Sequence, residues 1–126
     1  MISETELVQA IKELMPETKL IYLFGSQADG TASANSDIDV AVLLPQKLDS
    51  VLRFDHQQNL SIIFNRDIDL IDLLSASTVM QNQIIMHGVC LFGDENAQCT
   101  FEMQVLSMYQ RLNEERRDIL RDYVHE

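Results

Sequence analysis

The chain has 126 residues, of which 46% are hydrophobic, and its formal net charge is −11. This apolar fraction is ordinary for a globular protein and argues against disorder, and the length suffices to bury a core without disulfides. The charge argues against a protein that holds nucleic acid by its phosphates, because such binding needs clustered Lys and Arg. It fits a protein that docks on a basic partner, or simply a soluble one.

Neither a membrane span nor a signal peptide is indicated. No apolar run is long enough to cross a membrane, and the first residues lack the basic flank and apolar core of a signal peptide. Cys90 and Cys99 have no metal-ligand spacing with each other or with the histidines. We therefore expect a cytoplasmic protein with reduced thiols, without membrane or direct nucleic-acid contacts.

The chain begins with a predicted helix. Ser3 and Glu6 form a capping box, apolar residues recur on one face from Leu7 to Leu14, and Pro16 ends the helix. We interpret this helix as scaffold. The apolar run Leu20–Phe24 follows, and its residue types are typical of a buried strand.

A Gly-Ser turn comes directly after this strand. Gly25 permits positive φ and close approach of a ligand to the backbone, and Ser26 is a favoured N-cap, so we expect a short helix to begin there. The free N–H groups at such a helix start can bind a phosphate. The dipeptide alone is equally typical of a plain turn.

Two carboxylates precede the second predicted strand, which includes Val40–Leu44. Residues two apart in a strand point to the same face, so Asp37 and Asp39 project together if the strand begins near Ser36. Two such carboxylates repel unless a cation lies between them, and hard oxygen ligands favour Mg²⁺. A solvated strand end is the alternative, and the apolar run favours the fixed direction that a site needs.

A helix is predicted from Gln46 to Phe64, between the second and third strands. Its predicted core stripe is Leu48, Val51, Leu52, Leu60 and Ile63. Arg53 and His56 lie near its middle. They could reach a nucleotide, but we expect a solvated helix face, because such polar residues seldom face inward.

The third strand contributes another acidic residue, within Arg66–Leu73. Alternation places Asp67 and Asp69 on one face, and an acidic residue inside an apolar strand is costly to bury without a partner. Asp69 is the predicted third metal ligand, because apolar residues flank it on both sides. Asp67 and Asp72, at the strand's entrance and exit, are expected to be solvated.

Three further elements complete the prediction. A helix is expected over Val79–His87, capped within Ser75–Ser77 and closed by Gly88, followed by a short edge strand at Val89–Phe92. A long amphipathic helix is predicted over Thr100–Val124. Its seam consists of Phe101, Val105, Met108, Leu112, Ile119 and Tyr123. Packing on its own sheet is one interpretation of its first half, whereas its charged second half is better placed to contact another chain.

Gly25-Ser26, ten intervening residues and Asp37-Ile38-Asp39 match the GS-x10-D-x-D signature of the DNA polymerase β-like nucleotidyltransferase superfamily, which the chain resembles from its first helix to about Phe92. More narrowly, it resembles a minimal nucleotidyltransferase, the single-domain antitoxin that pairs with a HEPN-domain ribonuclease toxin. Strands separated by helices already indicate an α/β (α+β) fold. This pattern predicts a small sheet covered by helices, and the resemblance implies that the sheet is mixed. The length predicts one domain over residues 1–126, in which the helix from about residue 100 is a possible partner contact.

The resemblance also implies a chemistry. Asp37, Asp39 and Asp69 would hold two Mg²⁺ ions, and Gly25 and Ser26 would hold the phosphates of ATP. AMP would pass to a tyrosine hydroxyl of the toxin, as in a type VII-like toxin–antitoxin pair, with Asp69 also a candidate for taking the hydroxyl proton.

One departure and two alternatives accompany this reading. Relatives often carry arginine shortly after the Gly-Ser serine, where this chain has Asp29, so more charge compensation falls to the metal. A small-molecule nucleotidyltransferase of the aminoglycoside type is one alternative, although the extra helical domain usual in those proteins is missing. The other is an antitoxin that acts by binding alone.

Overall fold

The computed structural model describes residues 3–25 and 37–124, with side chains as far as residue 119. In chain order the described elements are α1 (Glu4–Leu14), β1 (Leu20–Phe24), β2 (Ile38–Leu43), α2 (Ser50–Phe64), β3 (Ile68–Asp72), α3 (Thr78–His87), β4 (Val89–Gly93) and α4 (Glu95–Val124). The expected helix start at Ser26 and the position of Asp29 lie outside the described residues.

The four described strands form one mixed sheet in the order β3-β2-β1-β4. β1 pairs antiparallel with both β2 and β4, whereas β2 and β3 run parallel. The predicted mixed sheet covered by helices is thus confirmed. β1 has the predicted bounds, and β2 begins at Ile38, two residues before the predicted apolar run.

The sheet separates two apolar clusters, one on each face. The first joins α1 and α2 to one face of the sheet through residues such as Ile11, Leu60 and Val40. The second joins α3 and α4 to the opposite face through Ile84, Phe101 and other buried residues. Since side chains alternate between faces along a strand, the residues of β2 and β3 that avoid the first cluster point toward the face of α3 and α4.

The helix starts follow the capping residues. Ser3 accepts a hydrogen bond from the Glu6 amide at 3.4 Å, as the predicted capping box requires. Ser77 accepts one from the Met80 amide at 3.1 Å and begins α3. Asp49 accepts from the amide of Val51 at 3.1 Å and begins α2. The predicted start of that helix at Gln46 is therefore four residues too early.

The predicted core stripe of α2 is largely wrong. Leu60 is fully buried and Leu48 packs at the margin of the first cluster, but Val51, Leu52 and Ile63 are exposed. The expectation for Arg53 and His56 is also wrong. Both are half-buried, the Arg53 guanidinium donates a hydrogen bond to the Leu70 carbonyl at 2.9 Å, and His56 Nδ1 is buried without a partner. The side of α2 that faces the sheet therefore includes polar residues.

The long C-terminal helix is confirmed, although it begins at Glu95 rather than Thr100. Asp94 accepts a hydrogen bond from the Ala97 amide at 3.2 Å and supplies the earlier start. Its first half packs on the sheet, with the rings of Phe101 and Tyr22 centred 6.5 Å apart. Farther along, Ile119 is exposed, and contact of this half with another chain stays a prediction. No helix in the described ranges has the length and apolarity to cross a membrane.

Candidate active site

The end of β1 and the start of β2 meet at one end of the sheet, where the strands terminate. Phe24 pairs with Asp39 across these antiparallel strands, so the turn that follows β1 lies beside the Asp39 carboxylate. Gly25 has φ of 73°, in the left-handed region that favours glycine. A Cβ atom there would overlap Oδ2 of Asp39 and lie 3.2 Å from its Cγ. Any side chain at residue 25 would therefore displace this carboxylate.

Asp39 and Asp69 are direct neighbours on parallel strands. The register pairs Ile38 with Ile68 and Asp39 with Asp69, and adjacent strands lie about 4.8 Å apart. Ile38 and Ile68 belong to the first apolar cluster, so both carboxylates project to the opposite face. The two carboxyl groups approach closely enough for a side-chain hydrogen bond. Asp39 and Asp69, which the sequence predicts as metal ligands on two different strands, are thus adjacent in the structure.

This arrangement makes ionisation of Asp39 costly. Partial burial raises the pKa of Asp39 above its ordinary value of 3.8, and the nearby charge and hydrogen bond of Asp69 raise it further, followed by the charge of Asp37. Burial and two negative neighbours all disfavour the carboxylate form. A cation placed here would remove that penalty. Carboxylate oxygens are hard ligands, and hard ligands favour Mg²⁺ over softer metals.

The other predicted site residues are placed less closely. Asp37 is exposed and precedes β2, near enough for its charge to act on Asp39. Ser26 lies outside the described residues. Within the described part of the chain, no three His, Cys, Asp or Glu side chains form a ready cage for a metal ion. The Asp39–Asp69 pair is therefore the geometric centre, and it fits a metal that also draws ligands from a bound substrate.

The two other acidic residues of this strand differ from each other. Asp67 is exposed, as predicted. Asp72 is not solvated, and that prediction is wrong: it is 3% exposed and accepts hydrogen bonds from the Leu48 amide at 2.8 Å and the Ser75 hydroxyl at 2.7 Å. Its carboxylate links the segment before α2 to the turn after β3 through these two hydrogen bonds. It serves the fold rather than the site.

Sequence reasoning missed two residues next to the site. Gln57 and Ser61 of α2 accept hydrogen bonds from the backbone of β3 on either side of Asp69. Their spacing of four from each other and from Arg53 was the available signal, because residues four apart share one face of a helix.

A cavity in the described part of the chain lies away from this site. It measures 610 Å³ and is lined by residues of α3 and α4 and by Lys19, Leu44 and Pro45, which lie at the opposite ends of β1 and β2 from Gly25 and Asp39. The acidic pair does not line this cavity.

Comparison with known proteins gives a consistent result. A family model described as "Polymerase beta, Nucleotidyltransferase" matches residues 6–97. The chain is 40% identical over 121 residues to the protein adenylyltransferase MntA of Shewanella oneidensis, covering 96% of this chain and 87% of that protein.

Two solved structures resemble the whole fold. One is a crystal structure of a toxin–antitoxin with AMP-PNP, with a TM-score of 0.88 and 39% identity over 98% of this chain and 99% of that one. The other is a tri-AMPylated HEPN toxin from Shewanella oneidensis in complex with MNT antitoxin, with a TM-score of 0.80 and 36% identity over 96% of this chain and 95% of that one.

Proposed function

This chain belongs to the polymerase β nucleotidyltransferase family, and we propose that it is an antitoxin that adenylylates its toxin. It transfers AMP from ATP to a tyrosine hydroxyl of a HEPN ribonuclease toxin in the cytoplasm and so inactivates that toxin. The similarity to a protein adenylyltransferase and to an antitoxin in complex with an AMPylated HEPN toxin supports this acceptor. The same similarity favours a protein acceptor over a small-molecule acceptor.

The observation that carries the proposal is the in-register pair of Asp39 and Asp69 beside the Gly25 turn. The pair places two carboxylates where they repel each other, with Asp37 adding a third charge. Such a cluster weakens the fold unless it binds a cation. A chain that neutralised its toxin by binding alone would gain nothing from retaining it.

The residues divide the work of nucleotidyl transfer. Gly25 and Ser26 would bind the terminal phosphates of ATP, because glycine lets a ligand approach the backbone closely and serine is favoured at helix starts, whose free N–H groups bind phosphate. Asp37, Asp39 and Asp69 would hold Mg²⁺, which when bound would neutralise the negative charge that develops during the transfer. Most of the acceleration is positioning and charge neutralisation.

The bond changes balance without a covalent enzyme intermediate. The tyrosine oxygen attacks the α-phosphorus of ATP, a new P–O bond forms, and the bond to the β-phosphate oxygen breaks to release pyrophosphate. The Asp69 side chain is exposed, so it can accept the proton from the attacking hydroxyl.

The test is the intact mass of a HEPN-domain protein encoded beside this chain, after incubation with this protein, Mg²⁺ and one nucleotide at a time. We expect added mass in steps of one adenylyl group with ATP, and none when Mg²⁺ is removed by a chelator. The same incubation with an aminoglycoside is the matched comparison. Modification of the drug and not of the HEPN protein would replace this proposal with the small-molecule one.

A further inference from the structure

No described strand lies beside the outer edge of β3. β3 is the last strand of the described sheet, with β2 as its single neighbour. Half of its backbone N–H and C=O groups therefore point away from the sheet, where they need other partners or solvent. Ile68 and Leu70 are nevertheless buried, at 3% and 0% exposure, so solvent does not satisfy them.

Side chains of α2 supply the missing partners. Gln57 Oε1 accepts a hydrogen bond from the Leu70 amide at 2.9 Å, and Ser61 Oγ accepts one from the Ile68 amide at 3.2 Å. Arg53 Nη1 donates to the Leu70 carbonyl at 2.9 Å and to Gln57 Oε1 at 3.2 Å. These residues, spaced by four, form a single row along the helix, which we call the edge clamp.

The edge clamp holds the strand on both sides of Asp69. Residues 68 and 70 are bound to α2, while the intervening Asp69 pairs with Asp39 on β2. With both flanking peptides fixed, Asp69 cannot shift along the strand or rotate about it without breaking these partly buried hydrogen bonds. Reactive geometry is sensitive to such shifts, because a displacement of about 1 Å can reduce a rate by about 10²-fold.

We infer that Arg53, Gln57 and Ser61 are positioning residues that hold Asp69 in place for the transfer reaction. None of them reaches the carboxylates, because α2 packs on the opposite face of the sheet and along its edge. They act through the backbone of β3. The inference rests on the proposed function.

The experiment compares three variants at Gln57 and Gln58. Gln57→Leu keeps the size of the side chain but removes the acceptor for the Leu70 amide, whereas Gln57→Glu retains an oxygen acceptor facing Arg53. Gln58→Leu is the matched control, because Gln58 is exposed on the outer side of the same helix. For each variant we would measure kcat, KM for ATP, thermal unfolding, and amide hydrogen exchange at Ile68 and Leu70.

We expect Gln57→Leu to speed exchange at Leu70 and to lower kcat about tenfold, with KM for ATP within about twofold of the Gln58→Leu value. Gln57→Glu should restore both exchange protection and kcat. All measurements would be made well below the unfolding temperature of each variant. A lower kcat under these conditions would reflect lost positioning and not a loss of folded protein.

Three outcomes would overturn the inference: unchanged exchange at Leu70 in Gln57→Leu, faster exchange with unchanged kcat, or a kcat that Gln57→Glu does not restore. If Gln57→Leu does not fold, Ser61→Ala replaces it, because Ser61 accepts the hydrogen bond from the Ile68 amide. Unchanged exchange at Ile68, or faster exchange with unchanged kcat, would then overturn the inference. Absence of transfer by the unmodified protein would instead reject the proposed function, and the exchange data would still show whether the edge clamp holds β3.

Discussion

The strand ends that carry the acidic pair and the helix that covers the sheet edge place their polar residues by different rules. On β2 and β3, strict alternation buries Ile38 and Ile68 and turns Asp39 and Asp69 to the opposite face. On α2 the pattern is partly reversed. Polar side chains face the sheet edge, while Val51 and Ile62 are 66% and 76% exposed.

The difference follows from what each element packs against. The inward side chains of β2 and β3 meet the apolar side chains of α1 and α2 on the face of the sheet, so apolar residues suit these positions. A helix laid along a sheet edge meets unpaired N–H and C=O groups, and its inward row must supply hydrogen-bond partners. A row of polar residues on a helix can therefore mark the side that faces a sheet edge, which a hydrophobic stripe alone does not reveal.

The largest expected effect tests the strand-end half of this comparison. Asp69→Asn should reduce the rate of AMP transfer at least about a hundredfold, because a charged ligand becomes a neutral one of equal size. Asp67→Asn, which changes an exposed residue two positions earlier, should stay within about threefold. The check is initial transfer rate at saturating ATP and Mg²⁺. Equal losses in both variants would mean that the register of β3 is misassigned.

The helix half is tested by stability. Leu60→Ala removes a fully buried side chain and should lower the free energy of unfolding by about 2–5 kcal/mol. Ile62→Ala, two residues later on the exposed side, should change it by less than about 0.5 kcal/mol. Chemical denaturation of both variants provides the measurement. A large loss from Ile62→Ala would show that the outward face of α2 is covered in the free protein.

The third effect concerns the exit of β3. Asp72→Ala should cost about 3 kcal/mol of stability, since the hydrogen bonds from the Leu48 amide, the Leu74 amide and the Ser75 hydroxyl are lost together. Asp67→Ala is the control and should have little effect. Thermal unfolding would show the contrast. If the two variants unfolded alike, the buried role of Asp72 would be wrong.

The smallest effect is a pH dependence. The pKa of Asp39 is raised in the folded chain, so the folded state binds more protons than the unfolded state just above pH 3.8. Stability should therefore fall as pH rises through the raised pKa. Without Mg²⁺ at pH 7, Asp39→Asn should melt above the unmodified protein, and the difference should vanish below the ordinary pKa. A difference independent of pH would contradict this origin.

Sequence alone predicts the parts of the fold that depend on local pattern. The apolar run of β1 and the acidic residues at positions 39 and 69 can be located from alternation and spacing. The mixed order of the sheet came from the resemblance, not from the pattern.

Long-range hydrogen bonds could not be predicted. Gln57 and Ser61 act on a strand, and Asp72 on the segment before α2, through partners that only the folded chain brings near. The early start of α4 at Glu95 depends on the Asp94 cap, a short signal beside the stronger amphipathic pattern that begins later.

The most direct test of the central claim, that the acidic pair makes this chain an enzyme, is the activity of the toxin after separation. The HEPN protein would be incubated with ATP, Mg²⁺ and either this protein or its Asp39→Asn variant, then purified away under denaturing conditions, refolded and assayed for ribonuclease activity. We expect the toxin treated with the unmodified protein to stay inactive and the toxin treated with the variant to be fully active. If both toxins regain activity equally, inhibition depends on binding alone and the catalytic account is wrong.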